Sequence, residues 1–184
     1  MIFHTTAQWD EPLWLEAERV YRQAFPEPGS KTRTIIRRMF ERNLCRLHTA
    51  AENGQVVAMA LTGGVRDADV LIIDYLAVDR EERGHGIGRM LLDYIEAWAE
   101  TTEGCRGVVI EVEAEPTSEN KGRIRFWERC GYRLTEYVHH YIWVPEPYSA
   151  MYKNFDRNRP LPDEGELLFR YITKFHNKAY RGKD

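Results

Sequence analysis

The chain has few cysteines, three among 184 residues, and no strong charge of either sign. Cys45, Cys105 and Cys130 are an odd number without CxxC spacing, so reduced thiols fit better than a disulfide framework. The formal net charge of -3, from 26 basic and 29 acidic side chains, argues against bulk electrostatic binding to nucleic acid. No stretch approaches the roughly 20 apolar residues of a membrane helix. No basic flank followed by an apolar signal core opens the chain. Internal repeats, low-complexity tracts and linkers are also missing. The expectation is a single cytoplasmic domain over 1–184, with a substantial core and no membrane partner.

What the chain does have is one conspicuous stretch, from Leu71 to Arg89. An apolar run ends in charged residues, and Gly84, Gly86 and Gly88 then follow at alternate positions. An amphipathic helix begins immediately after. Glycines so spaced open backbone conformations closed to other residues and leave N–H groups clear at the positive end of a helix. Arg83 and Arg89 flank the loop. The stretch reads first as a phosphate cradle.

Around it, the patterns give an α/β chain. Asp10 offers an N-cap, with Pro12 in the first turn, for a helix running to about Phe25. Phe25 to Ser30 breaks it, and Ser30 or Thr32 can cap a second helix. That pair could form a lid or a plain connector. Strands over Cys45–Glu52 and Gln55–Val65 flank Asn53-Gly54, a hairpin signal, and Val70–Val78 completes a meander. Gly63-Gly64 could bend or bulge the second of these strands. From Ile87 the apolar period becomes 3.6, with Asp93, Glu96 and Glu100 on the outer side. A strand over Gly107–Glu115, a helix from Glu119 to Cys130 closed by Gly131, and a strand over Tyr132–Val144 follow. Met151–Phe155 could return antiparallel. Asp163 and Glu166 resemble a capping box for a last amphipathic helix. The basic run from Lys31 to Arg46, six cations against Glu41, reads as a solvated face rather than a nucleic-acid footprint.

Spacing decides among phosphate loops. A Walker loop needs Lys-Ser/Thr after its final glycine, but Arg89-Met90 stands there. A dinucleotide fingerprint needs a third glycine where Arg89 sits, and its strand usually opens an alternating unit rather than ending a meander. The pattern that fits is Arg83-x-x-Gly86-x-Gly88. After its apolar strand, it resembles the acetyl-coenzyme A motif of the GCN5-related N-acetyltransferases (GNAT). The segment Asn120 to Tyr132, with Phe126-Trp127 and Cys130-Gly131-Tyr132, is similar to that family's second motif. The order of elements agrees over about residues 1–155, with an extension over about 156–184.

The resemblance implies a mixed, mostly antiparallel sheet of six to seven strands, flanked by helices, with one parallel pair that splays apart. An extra C-terminal helix is added, which could pack on its own domain or form a homodimer contact. It further implies that Leu76, Ala77 and Val78 meet the pantetheine and thioester of acetyl-coenzyme A. The pyrophosphate would rest on Arg83, Gly84, His85, Gly86, Ile87, Gly88 and Arg89. Asn120 would orient the coenzyme or a water, Arg123 could reach it from the same helix, and Trp127 stands in the aromatic pair.

The implied activity is acetyl transfer to a primary amine of a small molecule or peptide, by direct attack through a tetrahedral intermediate. The amine must lose a proton. Glu111 is the first candidate base and Asp74, two residues before Leu76, the second; carboxylates there would favour a cationic acceptor. Many family members place a tyrosine where Trp127 stands, as acid for the departing thiol. Indole cannot serve, and Tyr132 is the remaining phenol nearby. A non-catalytic acyl-coenzyme A binding or regulatory module is therefore the alternative. His139-His140 points to opposite strand faces with no completing cluster, so no metal site is expected.

Overall fold

The computed structural model describes residues 1–27, 29–142 and 144–181. Its elements, in order, are β1 (Ile2–Thr6), α1 (Glu11–Ala24), α2 (Arg33–Glu41), β2 (Arg46–Glu52), β3 (Gln55–Val65), β4 (Val70–Val78), α3 (Ile87–Thr101), β5 (Gly107–Glu113), α4 (Ser118–Arg129), β6 (Arg133–His140), β7 (Pro147–Asn154) and α5 (Gly165–Tyr180). The strands form one mixed sheet in the order β1-β2-β3-β4-β5-β7-β6. Its parallel pair joins Val70, Leu71 and Ile72 of β4 to Gly107, Val108 and Val109 of β5.

The chain divides into two compact units. The first comprises Met1–Gly64, Ile73–Trp98 and the chain from Asn177. Asp10 caps α1, accepting from the Leu13 N–H at 3.0 Å, and Pro12 sits in the first turn. Thr32, not Ser30, caps α2. These two helices bury Trp14, Ala17, Val20 and Tyr21, and Ile36, Met39 and Phe40. β2 and β3 pair antiparallel across Asn53-Gly54, with their register shift at Ala50/Ala51. On α3 the apolar face is wider than the sequence suggests: Leu92 is buried beside Ile87, Leu91 and Ile95, and Glu96 is buried rather than outward.

The second unit comprises Val65–Ile72 and Ala99–His176. β7 lies between β5 and β6 and pairs antiparallel with both. It is longer than expected because Tyr148 to Asn154 pair with β5 over the whole strand, Gly107 to Glu113. β6 is shorter than expected. It ends at His140, with an irregular register between Leu134 and Val138, and Trp143 lies outside the described residues. Pro28, in the loop expected as a lid or connector, is likewise outside them. Leu168, Phe169, Ile172 and Phe175 of α5 are buried, so its apolar stripe serves the chain's own core. The helix begins at Gly165, so Glu164 and not Asp163 immediately precedes it, and the Glu164 carbonyl accepts from Leu167 and Leu168. Gly165 is required there because a Cβ would stand 2.8 Å from that of Tyr137.

Candidate active site

In the first unit β4 runs on from Ile73 to Val78 and then turns. Asp79 closes this turn with both its backbone and its side chain. Its N–H donates to the Val57 carbonyl at 2.8 Å, and its carboxylate accepts from the Glu81 N–H at 3.2 Å and from Arg19. Burial would raise the Asp79 carboxyl, but the bonds from Arg19 and Glu81 outweigh it and hold the group below its usual range. Arg83 folds back, its Nε donating to the Val78 carbonyl at 3.2 Å. The strand end, the loop and the helix start are thus tied together.

Gly84 and Gly86 adopt φ of +86° and +80°. Nothing lies within 4 Å of a Cβ built at either, so the backbone conformation and not crowding calls for glycine. Gly88 is the second residue of α3. Met90 N–H to the Gly86 carbonyl, 3.1 Å, is the first turn of the helix ladder. The amides ahead of it form the helix's positive, anion-binding end. Ile87 is buried and pins this end to the core, whereas His85 is exposed and its ring turns back to the Glu82 carbonyl. Arg89 bonds Asp93 one turn on, at 2.7 Å. Main-chain amides at this helix start, between two arginines, could hold an anion.

Leu76 and Val78 are half-buried and Ala77 is buried at the end of β4. Asp74, on the same strand, is engaged elsewhere. Its Oδ1 lies 2.8 Å from Lys31 Nζ, with the side chains only 3% and 1% exposed. Lys31, expected on a solvated face, is one of the most deeply buried side chains of the unit. Arg33 and Arg37 do face solvent and pair with Glu11, Glu18 and Glu41.

In the second unit the carboxylate of Glu111 on β5 is held at both oxygens. His176 of α5 lies 2.6 Å from Oε1, and the Tyr141 hydroxyl donates to Oε2 at 2.7 Å. An aromatic group surrounds them. His139 stacks on Phe169 at 4.3 Å and meets Tyr141 edge-on at 4.5 Å, while Tyr141 contacts Tyr148 at 5.7 Å. Burial, then the charges of Glu111, Glu113 and Glu146, push the Tyr148 phenol up to about 12. Burial lowers the His139 imidazole despite Glu111. Carboxylates thus outnumber cations among the charges that act on Tyr148. His139 therefore joins this cluster, while among the described residues no group of three or more His, Cys, Asp or Glu is placed to hold a metal.

The second motif is built around its helix start. Thr117 caps α4 through the Asn120 N–H; Asn120 is buried, donates to the Glu115 carbonyl at 3.1 Å and accepts from Arg123 at 3.2 Å. Arg123 also reaches Glu119 and Glu113. Trp127 and Tyr132 are both buried and meet edge to face at 5.0 Å, and Lys153 lies over the Tyr132 ring. Sequence reasoning missed Tyr141 and His176. Each carried a signal: Tyr137, His139 and Tyr141 alternate, and Phe169, Ile172 and His176 recur at helical spacing.

The mixed sheet with one parallel pair, and the glycine loop opening the helix after the meander, share their fold with solved acetyltransferases. The chain belongs to the acetyltransferase (GNAT) family, whose model matches residues 11–132. Among solved structures it is similar to a GNAT-family protein from Bacteroides thetaiotaomicron, at 18% identity and TM-score 0.77 with all of both chains covered. The ribosomal-protein-S18-alanine N-acetyltransferase from Escherichia coli is similar at 18% identity and TM-score 0.62, over 87% of this chain and 100% of that one. An aminoglycoside 6'-N-acetyltransferase complexed with coenzyme A is similar at 16% identity and TM-score 0.69, over 89% and 100%. No curated protein matches the chain by sequence. Among the described residues no helix is long and apolar enough to cross a membrane.

Proposed function

We propose that this protein transfers the acetyl group of acetyl-coenzyme A to a primary amine, and that the amine is cationic before it reacts. The observation that carries the reading is the main-chain cradle from Arg83 to Gly88, with Gly84 and Gly86 at positive φ before the start of α3. The family match and a structural neighbour complexed with coenzyme A support it. The N–H groups of Leu76 to Val78 take the pantetheine and polarise the thioester carbonyl, and Arg83 and Arg89 add charge at the pyrophosphate. The carboxylates of Glu111 and Glu113 beside Tyr148 support a cationic acceptor.

Glu111 is the better base of the two candidates, since Asp74 is committed to Lys31. Deprotonation leaves a neutral amine, whose nitrogen attacks the carbonyl carbon. The C–N bond forms, the oxyanion collapses, the C–S bond breaks, and the second amine proton goes to the thiolate through water. No tyrosine is needed for that step, because a thiol of pKa about 8.5 leaves readily as thiolate. Asn120, bonded at both ends of its amide, orders the start of α4, and Tyr132 packs against Trp127.

A second reading follows from Trp127, buried where the family often has its acid: a binding module without turnover. Release of free coenzyme A thiol in the presence of a panel of amines tests the proposal. Amine-dependent release is expected; saturable coenzyme binding without release from any amine would leave the binding module.

A further inference from the structure

We propose that Glu111 and His176 act as one proton-accepting pair, so that the proton taken from the acceptor amine comes to rest on the imidazole. This rests on the acetyl-transfer reading above and extends it to α5, which lies wholly beyond the family-matched residues. The geometry is specific. His176 Nε2 and the Tyr141 hydroxyl approach different oxygens of one carboxylate, at 2.6 and 2.7 Å. Both side chains of the pair are largely buried, 22% exposed for Glu111 and 18% for His176. The contact is a charge-assisted hydrogen bond whenever the imidazole carries its second proton.

With His176 neutral, its Nε2–H donates to Glu111 and the pair carries one negative charge, which attracts an ammonium. Nε2 already carries a proton, so the ammonium proton is taken at Nδ1, directly or through a water; the pair becomes imidazolium and carboxylate, net zero, and the amine is left neutral for attack. The proton later passes to water, restoring the pair. Tyr141 holds Oε2 throughout and fixes the carboxylate plane. The surrounding groups are known: Glu113 from the same strand, His139 and His140 from β6, Tyr148 from β7, and Arg123 from α4 bonded to Glu113. Glu113 shares the negative sign of Glu111, and Arg123 offsets it. Glu111 itself lies 2.6 Å from His176.

One variant separates a proton carrier from a structural prop. His176→Gln keeps an N–H donor able to reach Glu111 but cannot hold the proton. In turnover, His176→Gln should lower kcat/KM for the amine about a hundredfold and abolish the acidic limb of its pH profile, while KM for acetyl-coenzyme A stays within twofold. Wild-type kcat/KM in His176→Gln, or an acidic limb preserved in it, would overturn the pair. Absence of turnover by wild type with any amine would instead remove the transfer reading on which the pair depends.

Discussion

Lys31 and Asp74 form a buried ion pair: Nζ lies 2.8 Å from Oδ1, 5.1 Å from the ring centre of Tyr75 and 5.0 Å from that of Tyr180. The Tyr75 hydroxyl also accepts the Lys31 backbone N–H at 3.0 Å, and Tyr21 donates to its carbonyl at 2.9 Å. Burial, then the charge of Asp74, push the Tyr75 phenol far above its usual value. The segment following the Phe25–Ser30 break is therefore locked to β4 by charge, hydrogen bonds and aromatic faces together.

Breaking this pair from one side should be costly, because the remaining charge stays buried. Lys31→Met or Asp74→Leu alone should each destabilise the fold by about 3–5 kcal/mol. The double variant should recover most of the loss, since two apolar side chains replace two charges. Chemical denaturation of the four proteins in a double-mutant cycle checks this. Equal, additive losses would show that the charges are not coupled.

His48 makes stability depend on pH. It is fully buried on β2, with Nδ1 2.8 Å from the Thr5 hydroxyl and Nε2 2.9 Å from that of Thr62. Burial, then Arg46, lower its imidazole from the ordinary 6.5 to about 3. Below pH 6.5 the unfolded chain binds a proton that the folded chain refuses. The contribution is thus whole above pH 6.5 and is lost as pH falls toward 3, at up to about 1.4 kcal/mol per pH unit. Denaturation between pH 7 and 4 should show a shallower decline for His48→Gln than for wild type.

The glycine loop should be sensitive in binding more than in folding. Gly84→Ala and Gly86→Ala meet no neighbour within 4 Å, so each pays only for φ near +80°, about 1–2 kcal/mol. If the loop relaxes by leaving that conformation, its amides turn away from the anion. Calorimetry should then show acetyl-coenzyme A affinity falling at least tenfold for either variant, with a modest change in thermal midpoint. Undiminished affinity would place the pyrophosphate elsewhere.

What the sequence made legible was local. Asp10 three residues before the Leu13 amide, Asn53-Gly54 between two strands, Thr117 before α4 and Gly131 after it all act within a few residues, and each stands where its chemistry requires. Gly84 and Gly86 were legible for the same reason. The misjudged positions depend on distant partners. Lys31 looked like part of a solvated run because its partner is 43 residues away, and Glu96 looked outward because α3 buries more than one stripe. Glu111 stands out as a carboxylate on β5, but its partner His176 comes 65 residues later on a helix outside the resemblance. The length of β7 was missed too, since only pairing with both β5 and β6 sets it.

The most direct test of the account is to incubate the protein with acetyl-coenzyme A and matched amines, cationic and uncharged, and read the products by mass. The account predicts one acetyl group added to cationic primary amines, with loss of most product in Glu111→Gln. Coenzyme binding with no acetylated amine of either kind would contradict it.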